Sequence, residues 1–348
     1  MNLPPLYFSA YISSFERYRD ELAARIKPGD WVFICLHMGE EAEQPGYKER
    51  VRAVCAELHS WGARIMADVA GRTLEYYGCT SLVELVRELK LESARVDYGV
   101  SVEEMLELSQ HCILTVNSAF VEEEHRPLLR PEFLSTHNYY PLAGSGVPVE
   151  ALAEPTRILQ ECGVEVYSFI PGDTCLRWPV AEGLPTVEAH RHVPPYVGYV
   201  ELATVCNQDA VFVGDPWLSD EQVGLIEQAR ETGILPVPAH LYVEGAKWYD
   251  VPLTLRHDSP SAVFRINESR EYATKGDDVP QRRAWARPLG TITVHNEGYP
   301  RYTGEVQITR EDLPADCRVN VIGHVLPEYR DLLRLLQPGW QVRLVAVN

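Results

Sequence analysis

Carboxylate, imidazole and amide side chains fall at the ends of a series of short apolar runs in this chain. The run Trp31 to Leu36 ends on His37, with Glu40 and Glu41 close behind. Arg64 to Ala67 meets Asp68, and Ala94 to Val96 meets Asp97 and Tyr98. Cys112 to Val116 meets Asn117 and Ser118. Glu132 to Thr136 meets His137, Asn138, Tyr139 and Tyr140. Glu165 to Ile170 leads into Pro171, Gly172 and Asp173, and Ala210 to Val213 into Gly214 and Asp215. One acid after a strand is most simply a turn or cap residue. Seven run ends of this kind are more than turns require. Together they make a ring of hydrogen-bonding groups suited to a polyhydroxylated ligand, and paired carboxylates supply a general acid and a nucleophile or base for glycosidic cleavage.

Asp68 and Asp97 follow neighbouring runs. Two such acids can approach within the ~5–9.5 Å that a two-carboxylate mechanism needs, so they are the expected catalytic pair, with Glu40 in reserve. His37, Asn117, His137, Asn138, Tyr140, Asp173 and Asp215 are the expected substrate-binding residues. A long loop follows the seventh run, from Asp173 to Arg191. Loops of this length in compact domains tend to be functional. In it, Arg177, His190 and Arg191 are suited to an anionic group and Trp178 to a sugar face, against the plainer reading of a helix opening capped by Thr186. His190-x-His192 is a weak metal signal, because residues two apart do not share a helix face.

The elements that must position these groups follow from periodicity. The eight runs, beginning with Leu6 to Ser9, alternate with helix-length stretches such as Phe15 to Ile26, Tyr47 to Trp61 and Ser81 to Leu89. Alternation implies parallel β-structure, and eight repeats imply a closed (β/α)8 TIM-type barrel. An open doubly wound sheet would carry G-x-G-x-x-G after an early strand, and none is present. Ser81 and Ser101 are placed to cap helices, and Gly62 and Gly163 to end them. After about Leu235 the pattern becomes mostly β, with strands expected over 263–266, 290–294, 305–308, 319–325 and 341–345 and a helix over 329–336. A boundary near residue 238 divides a barrel domain, 1–238, from a smaller β domain, 239–348. In the second domain, polar turns carry Asn267 to Arg270 and His295 to Tyr302. Hairpin loops account for them most simply, but the concentration of arginines, tyrosines and amides points to a site. Arg270 or Arg301 is expected to face a ligand anion at the barrel mouth.

The formal charge of -18 argues against nucleic acid or an anionic membrane as partner. No run reaches the ~20 apolar residues of a membrane helix, and the N-terminus has no secretory pattern. The eight cysteines are scattered without a C-x-x-C pair and read as thiols of a reducing, cytoplasmic compartment.

The chain also resembles the 6-phospho-N-acetylmuramidase family, MupG type. The resemblance is carried by Leu36 to Glu41, Arg95 to Gly99, His137 to Pro141, Gly183 to Arg191, Gly214 to Pro216, Thr291 to Glu297, Arg301 to Ile308 and Val319 to Gly323. It implies a barrel followed by a cyclophilin-like β domain. It also implies cytoplasmic hydrolysis of N-acetylmuramic acid 6-phosphate β-1,4-linked to N-acetylglucosamine, in cell-wall recycling. The partner it implies is thus a phosphorylated amino-sugar disaccharide. Where the family usually carries Arg after the His-Asn-aromatic-Tyr-Pro stretch, this chain has Leu142. No cofactor or metal is expected, and a homodimer is left open. Two rival readings are a metal-dependent sugar hydrolase or isomerase, with His37, Asp68, Asp97, His137 and Asp215 as ligands, and a non-catalytic sugar-phosphate sensor.

Overall fold

The computed structural model describes residues 1–346 apart from Asp97, Tyr98, Phe120, Tyr272 and Ala273, and of Glu124 the backbone only. The eight apolar runs become strands β1 (Leu6–Ala10), β2 (Trp31–Cys35), β3 (Arg64–Val69), β4 (Ser93–Val96), β5 (Ile113–Asn117), β6 (Leu134–Thr136), β7 (Glu165–Ile170) and β8 (Ala210–Val213). Each pairs with the next in parallel, and β8 closes on β1. Strands with one face in a barrel and the other under helices are buried on both sides, so they read as continuous apolar runs. All five residues of β2 are buried.

The connecting helices follow their local signals. Leu82–Leu89 turns Leu82, Leu85, Val86 and Leu89 inward, and the Ser81 side chain accepts from the Glu84 amide at its start. Ser101 and Glu104 form the expected capping box on Val102–Leu108. Gly62 and Gly163 both have φ of 80°, the left-handed geometry that ends a helix without a Cβ clash. Inside the barrel, Phe33, Phe169 and Phe212 pack with ring centroids 5.2–5.9 Å apart. This aromatic plug is the floor on which the polar strand ends stand.

Two compact units make up the chain: Pro4–Ser219, and Met1–Leu3 with Asp220 onward. The second contains a helix, Asp220–Thr232, and a mostly antiparallel seven-stranded sheet. Its strands are β9 (Leu235–Leu241), β10 (Pro252–Thr254), β11 (Val263–Arg265), β12 (Thr291–His295), β13 (Val306–Thr309), β14 (Val319–Val325) and β15 (Gln341–Val345). Their order is β10-β15-β9-β14-β12-β13-β11. Five lie where the sequence predicts them. β9 was not expected, because Leu-Pro-Val-Pro reads as a linker. The prolines, two apart, withhold N–H groups from one edge only. β9 runs parallel to β15 through Leu235 to Pro238 and pairs with β14 only from Ala239 on. The helix expected over 329–336 is shorter, Leu332–Leu335.

Among the described residues, no helix is long and apolar enough to cross a membrane. All eight cysteines are free thiols, with Cys35, Cys55 and Cys206 buried.

Candidate functional site

Register places three chemically active side chains in a row. Cys35 on β2 lies beside Asp68 on β3, which lies beside Arg95 on β4. Arg95 is fully buried and crosses the barrel interior. Its Nη1 donates to Asp68 Oδ1 at 2.7 Å and its Nε to Thr136 Oγ1 at 2.6 Å. Its Nη2 donates to Asn138 Oδ1. The same oxygen accepts from Asn117 Nδ2 at 3.1 Å, and Asn117 Oδ1 accepts from the Ala119 amide at 3.0 Å. One guanidinium thus ties together the ends of β3, β4 and β6. Asp68 Oδ2 accepts from the Tyr139 hydroxyl at 3.2 Å. It also lies 3.7 Å from His37 Nδ1 and 3.9 Å from Cys35 Sγ. Burial pushes the Tyr139 hydroxyl well above the usual tyrosine range, with Cys35 and Asp68 adding to the shift, so it stays a donor.

Above this layer sits Arg177. Tyr139 stands edge-on against Phe33 and Phe169, and the Arg177 guanidinium lies 5.3 Å from the Tyr139 ring and 5.5 Å from the Tyr11 ring. Its Nη1 is buried and meets no hydrogen-bond acceptor in the described protein. Asp215 positions it. The Asp215 carboxylate accepts from the backbone amides of Gly172, Leu184 and Arg177 at 2.9, 2.9 and 2.8 Å. Burial pushes this carboxyl up in spite of those three donors. The turn is tight enough that a Cβ on Gly172 would lie 2.4 Å from the Trp217 carbonyl oxygen, and one on Gly214 2.3 Å from that of Leu184. Asp215 therefore shapes the loop after β7, and both of its oxygens are used on the backbone.

Of the residues expected from sequence, His37, Asp68, Asn117, Asn138 and Arg177 come together at the carboxyl ends of the strands. Tyr140 is half-buried beside Asn138. Others do not join them. Glu40 is exposed on the one-turn helix Gly39–Ala42. Its neighbour Glu41 is the buried acid, accepting from the Ser13 amide at 3.0 Å and from the Ser13 hydroxyl. His137 alternates outward: Thr136 reaches Arg95, whereas the His137 Nε2 lies 3.0 Å from Thr156 Oγ1 on the helix Glu150–Glu161. Asp173 is exposed and braces the Ser219 amide and hydroxyl at 2.7 and 2.6 Å. In place of a helix after Thr186 there is a short 3-10 turn, Glu188–His192. His190 is buried with its Nε2 2.9 Å from Glu201. Arg191 is consumed by Glu188 and by the carbonyls of Tyr140, Leu142, Glu182 and Gly183. Trp178 is exposed.

In the second domain, Arg270 is buried, and its Nε donates to Glu305 at 2.7 Å. The expectation of a ligand-facing guanidinium there gives way to an internal ion pair. Arg301 is exposed in the β12–β13 connection. Asp97 lies outside the described residues.

Sequence reasoning passed over Arg95, Tyr11 and Cys35 as site residues, and it named Tyr139 only among the polar strand ends. Arg95 had a signal, since an arginine inside a short barrel strand must find buried partners.

Among the described residues, Cys35, His37 and Asp68 offer ligand atoms within 4.8 Å of one another. Arg95 on Asp68 and Arg177 over the same cluster put two positive charges beside a would-be cation. His137 and Asp215, expected as ligands by the metal reading, are engaged elsewhere. The arrangement suits an anionic, hydroxyl-rich ligand better than a metal.

Residues 8–228 match the model of the N-terminal domain of 6-phospho-N-acetylmuramidase, and residues 242–345 that of its C-terminal domain. No curated protein matches the chain. A crystal structure of a conserved Enterococcus faecalis protein of unknown function is similar, with 29% identity, coverage of 98% of this chain and 96% of that one, and a TM-score of 0.81. An uncharacterized Bacillus cereus protein shares the fold at 20% identity, with coverage of 99% and 100% and a TM-score of 0.78. The chain belongs to the 6-phospho-N-acetylmuramidase family.

Proposed function

We propose that this chain is a glycoside hydrolase cleaving the β-1,4 bond between N-acetylmuramic acid 6-phosphate and N-acetylglucosamine, in the cytoplasmic recycling of cell-wall fragments. The observation that carries this reading is Arg177. Its buried Nη1, with no acceptor among the described residues, is held over two tyrosine rings beside the Asp68–Arg95 pair. A guanidinium so placed is suited to a phosphate or carboxylate oxygen. His37, Asn138 and Tyr140 supply the hydroxyl-binding groups around it. Asp68 provides negative charge under the reacting sugar, and Asp97 is the proposed second carboxyl group.

Incubation of the purified chain with the phosphorylated disaccharide tests the reading. Release of N-acetylglucosamine is expected, and much slower release from the unphosphorylated disaccharide. Tight binding without turnover would replace the enzyme with a sensor, and no binding at all would remove the substrate assignment.

A further inference from the structure

We infer that the second domain binds a mononucleotide, in a cavity between β14 and the segment 282–288. This assignment is independent of the glycosidase reading. The cavity measures about 680 Å³, within the ~300–1,000 Å³ of small-ligand sites. All of its lining residues belong to the second domain.

Its charge runs against that of the chain. In a protein of formal charge -18, three arginines, Arg282, Arg283 and Arg330, border the cavity with one acid, Glu244. Arg282 Nη1 pairs with Glu244. That leaves Arg283 and Arg330 without a carboxylate among the described residues. The Arg330 Nε is buried and meets no hydrogen-bond acceptor among them. A guanidinium in this state is suited to a phosphate oxygen.

The rest of the lining suits a flat ring. Trp285 and Tyr242 border the cavity yet are 55% and 42% exposed, and large apolar side chains left open around a cavity mark a surface that a ligand covers. Ala286, Pro288 and Pro327 extend that surface. The polar groups beside it are already engaged. Asn320 donates to the Pro280 carbonyl at 2.9 Å and accepts from the Arg282 amide and Asn296 Nδ2 at 3.2 and 2.8 Å. The Thr291 hydroxyl donates to the Pro288 carbonyl at 2.6 Å. A sugar by itself would find few acceptors here for its hydroxyls. A nucleobase needs none, because every base has a face that stacks on an aromatic ring.

The wall that carries Arg283 and Trp285 is fixed at both ends. Asn320 holds Pro280 and Arg282, and Arg287 exchanges backbone hydrogen bonds with Leu313 at 2.9 and 2.8 Å. The site is therefore preformed, with Arg330 and Arg283 for the phosphate and Trp285 and Tyr242 for the base.

Equilibrium dialysis of the full chain against the four ribonucleoside monophosphates tests this. At least one should bind, and its nucleoside and ribose 5-phosphate, which lack the phosphate and the base in turn, should each bind roughly tenfold more weakly or worse. Trp285→Ala and Arg330→Ala should each weaken the nucleotide roughly tenfold or more, with melting unchanged. Arg283→Ala repeats the charge test at an exposed position, which keeps it decisive if Arg330→Ala fails to fold. Absence of binding by all four nucleotides at millimolar concentration overturns the assignment, as does binding that none of the variants weakens. N-acetylmuramic acid 6-phosphate bound more tightly than any nucleotide, and weakened by Trp285→Ala, would make this a sugar-phosphate site and overturn it too.

Discussion

Arg95 Nη1 donates to Asp68 Oδ1 across 2.7 Å, and both side chains are 2% exposed. Two desolvated charges of opposite sign hold each other, and removing one leaves the other buried and unpaired. Arg95→Met is expected to destabilise the chain by about 3–5 kcal/mol. Arg95→Met/Asp68→Asn should recover part of that loss, because no bare charge is left. Urea unfolding of the two variants checks this, and equal destabilisation would mean that the pair does not act as a unit.

Arg177 is tied to the fold through its backbone amide on Asp215, so truncating the side chain leaves the loop anchored. What Arg177→Ala removes is the guanidinium over Tyr11 and Tyr139. A charge-assisted hydrogen bond is worth about 1.5–3 kcal/mol, which corresponds to a KM for the phosphorylated disaccharide roughly 10- to 150-fold higher. The unphosphorylated disaccharide should be little affected. Equal losses on both would show that Arg177 does not read the phosphate.

The barrel was legible because both-face burial leaves a strong mark: each expected run lies within two residues of its strand. The site was only half legible, for a physical reason. A residue after a strand points inward, outward or into its loop according to a one-residue alternation that the sequence does not print. Thr136, His137 and Asn138 are consecutive, yet the first and third reach Arg95 and the middle one reaches a helix. The same ambiguity separated exposed Glu40 from buried Glu41. Asp215 was legible as a polar strand end, but not as a carboxylate whose oxygens are spent on three amides of its own loops.

Arg270 and Arg301, alike in sequence context, should behave differently on truncation. Glu305 Oε2 accepts from Arg265 and Arg270, and its Oε1 accepts from Arg265 and Gln307. Burial raises its pKa, but these partners outweigh that and hold it down at about 2. Arg270→Ala leaves Arg265 in place, so a loss of about 1.5–3 kcal/mol is expected. Arg301→Ala, at an exposed position, should stay within about 0.5 kcal/mol. Thermal melting of both variants decides this, and a silent Arg270→Ala would mean that Arg265 alone satisfies Glu305.

His137 contributes a pH dependence above the window of the carboxylates, where His295 and His324, also lowered by burial, act in the same direction. Burial lowers the His137 pKa from 6.5 to about 4, and its Nε2 contact with Thr156 keeps it in the wall between β6 and the neighbouring helix. Between those two values the unfolded chain binds a proton that the folded chain refuses. Stability is therefore complete above pH 6.5 and falls as the pH drops through 6.5 toward 4. Carboxylates act lower. The Arg191 side chain, helped by the Gly144 and Gly146 amides and opposed by burial, holds Glu188 at about 2, and Glu305 is held at about 2 as well. Their contributions are present above the ordinary value of 4.5 and are lost as the pH falls toward 2. Unfolding free energy followed by urea titration from pH 7 to pH 3 should decline first in the histidine window. His137→Gln should make that upper part of the curve shallower and leave the lower part unchanged, whereas Glu188→Gln should do the reverse. An upper slope in His137→Gln as steep as in the wild type would place the titrating group elsewhere.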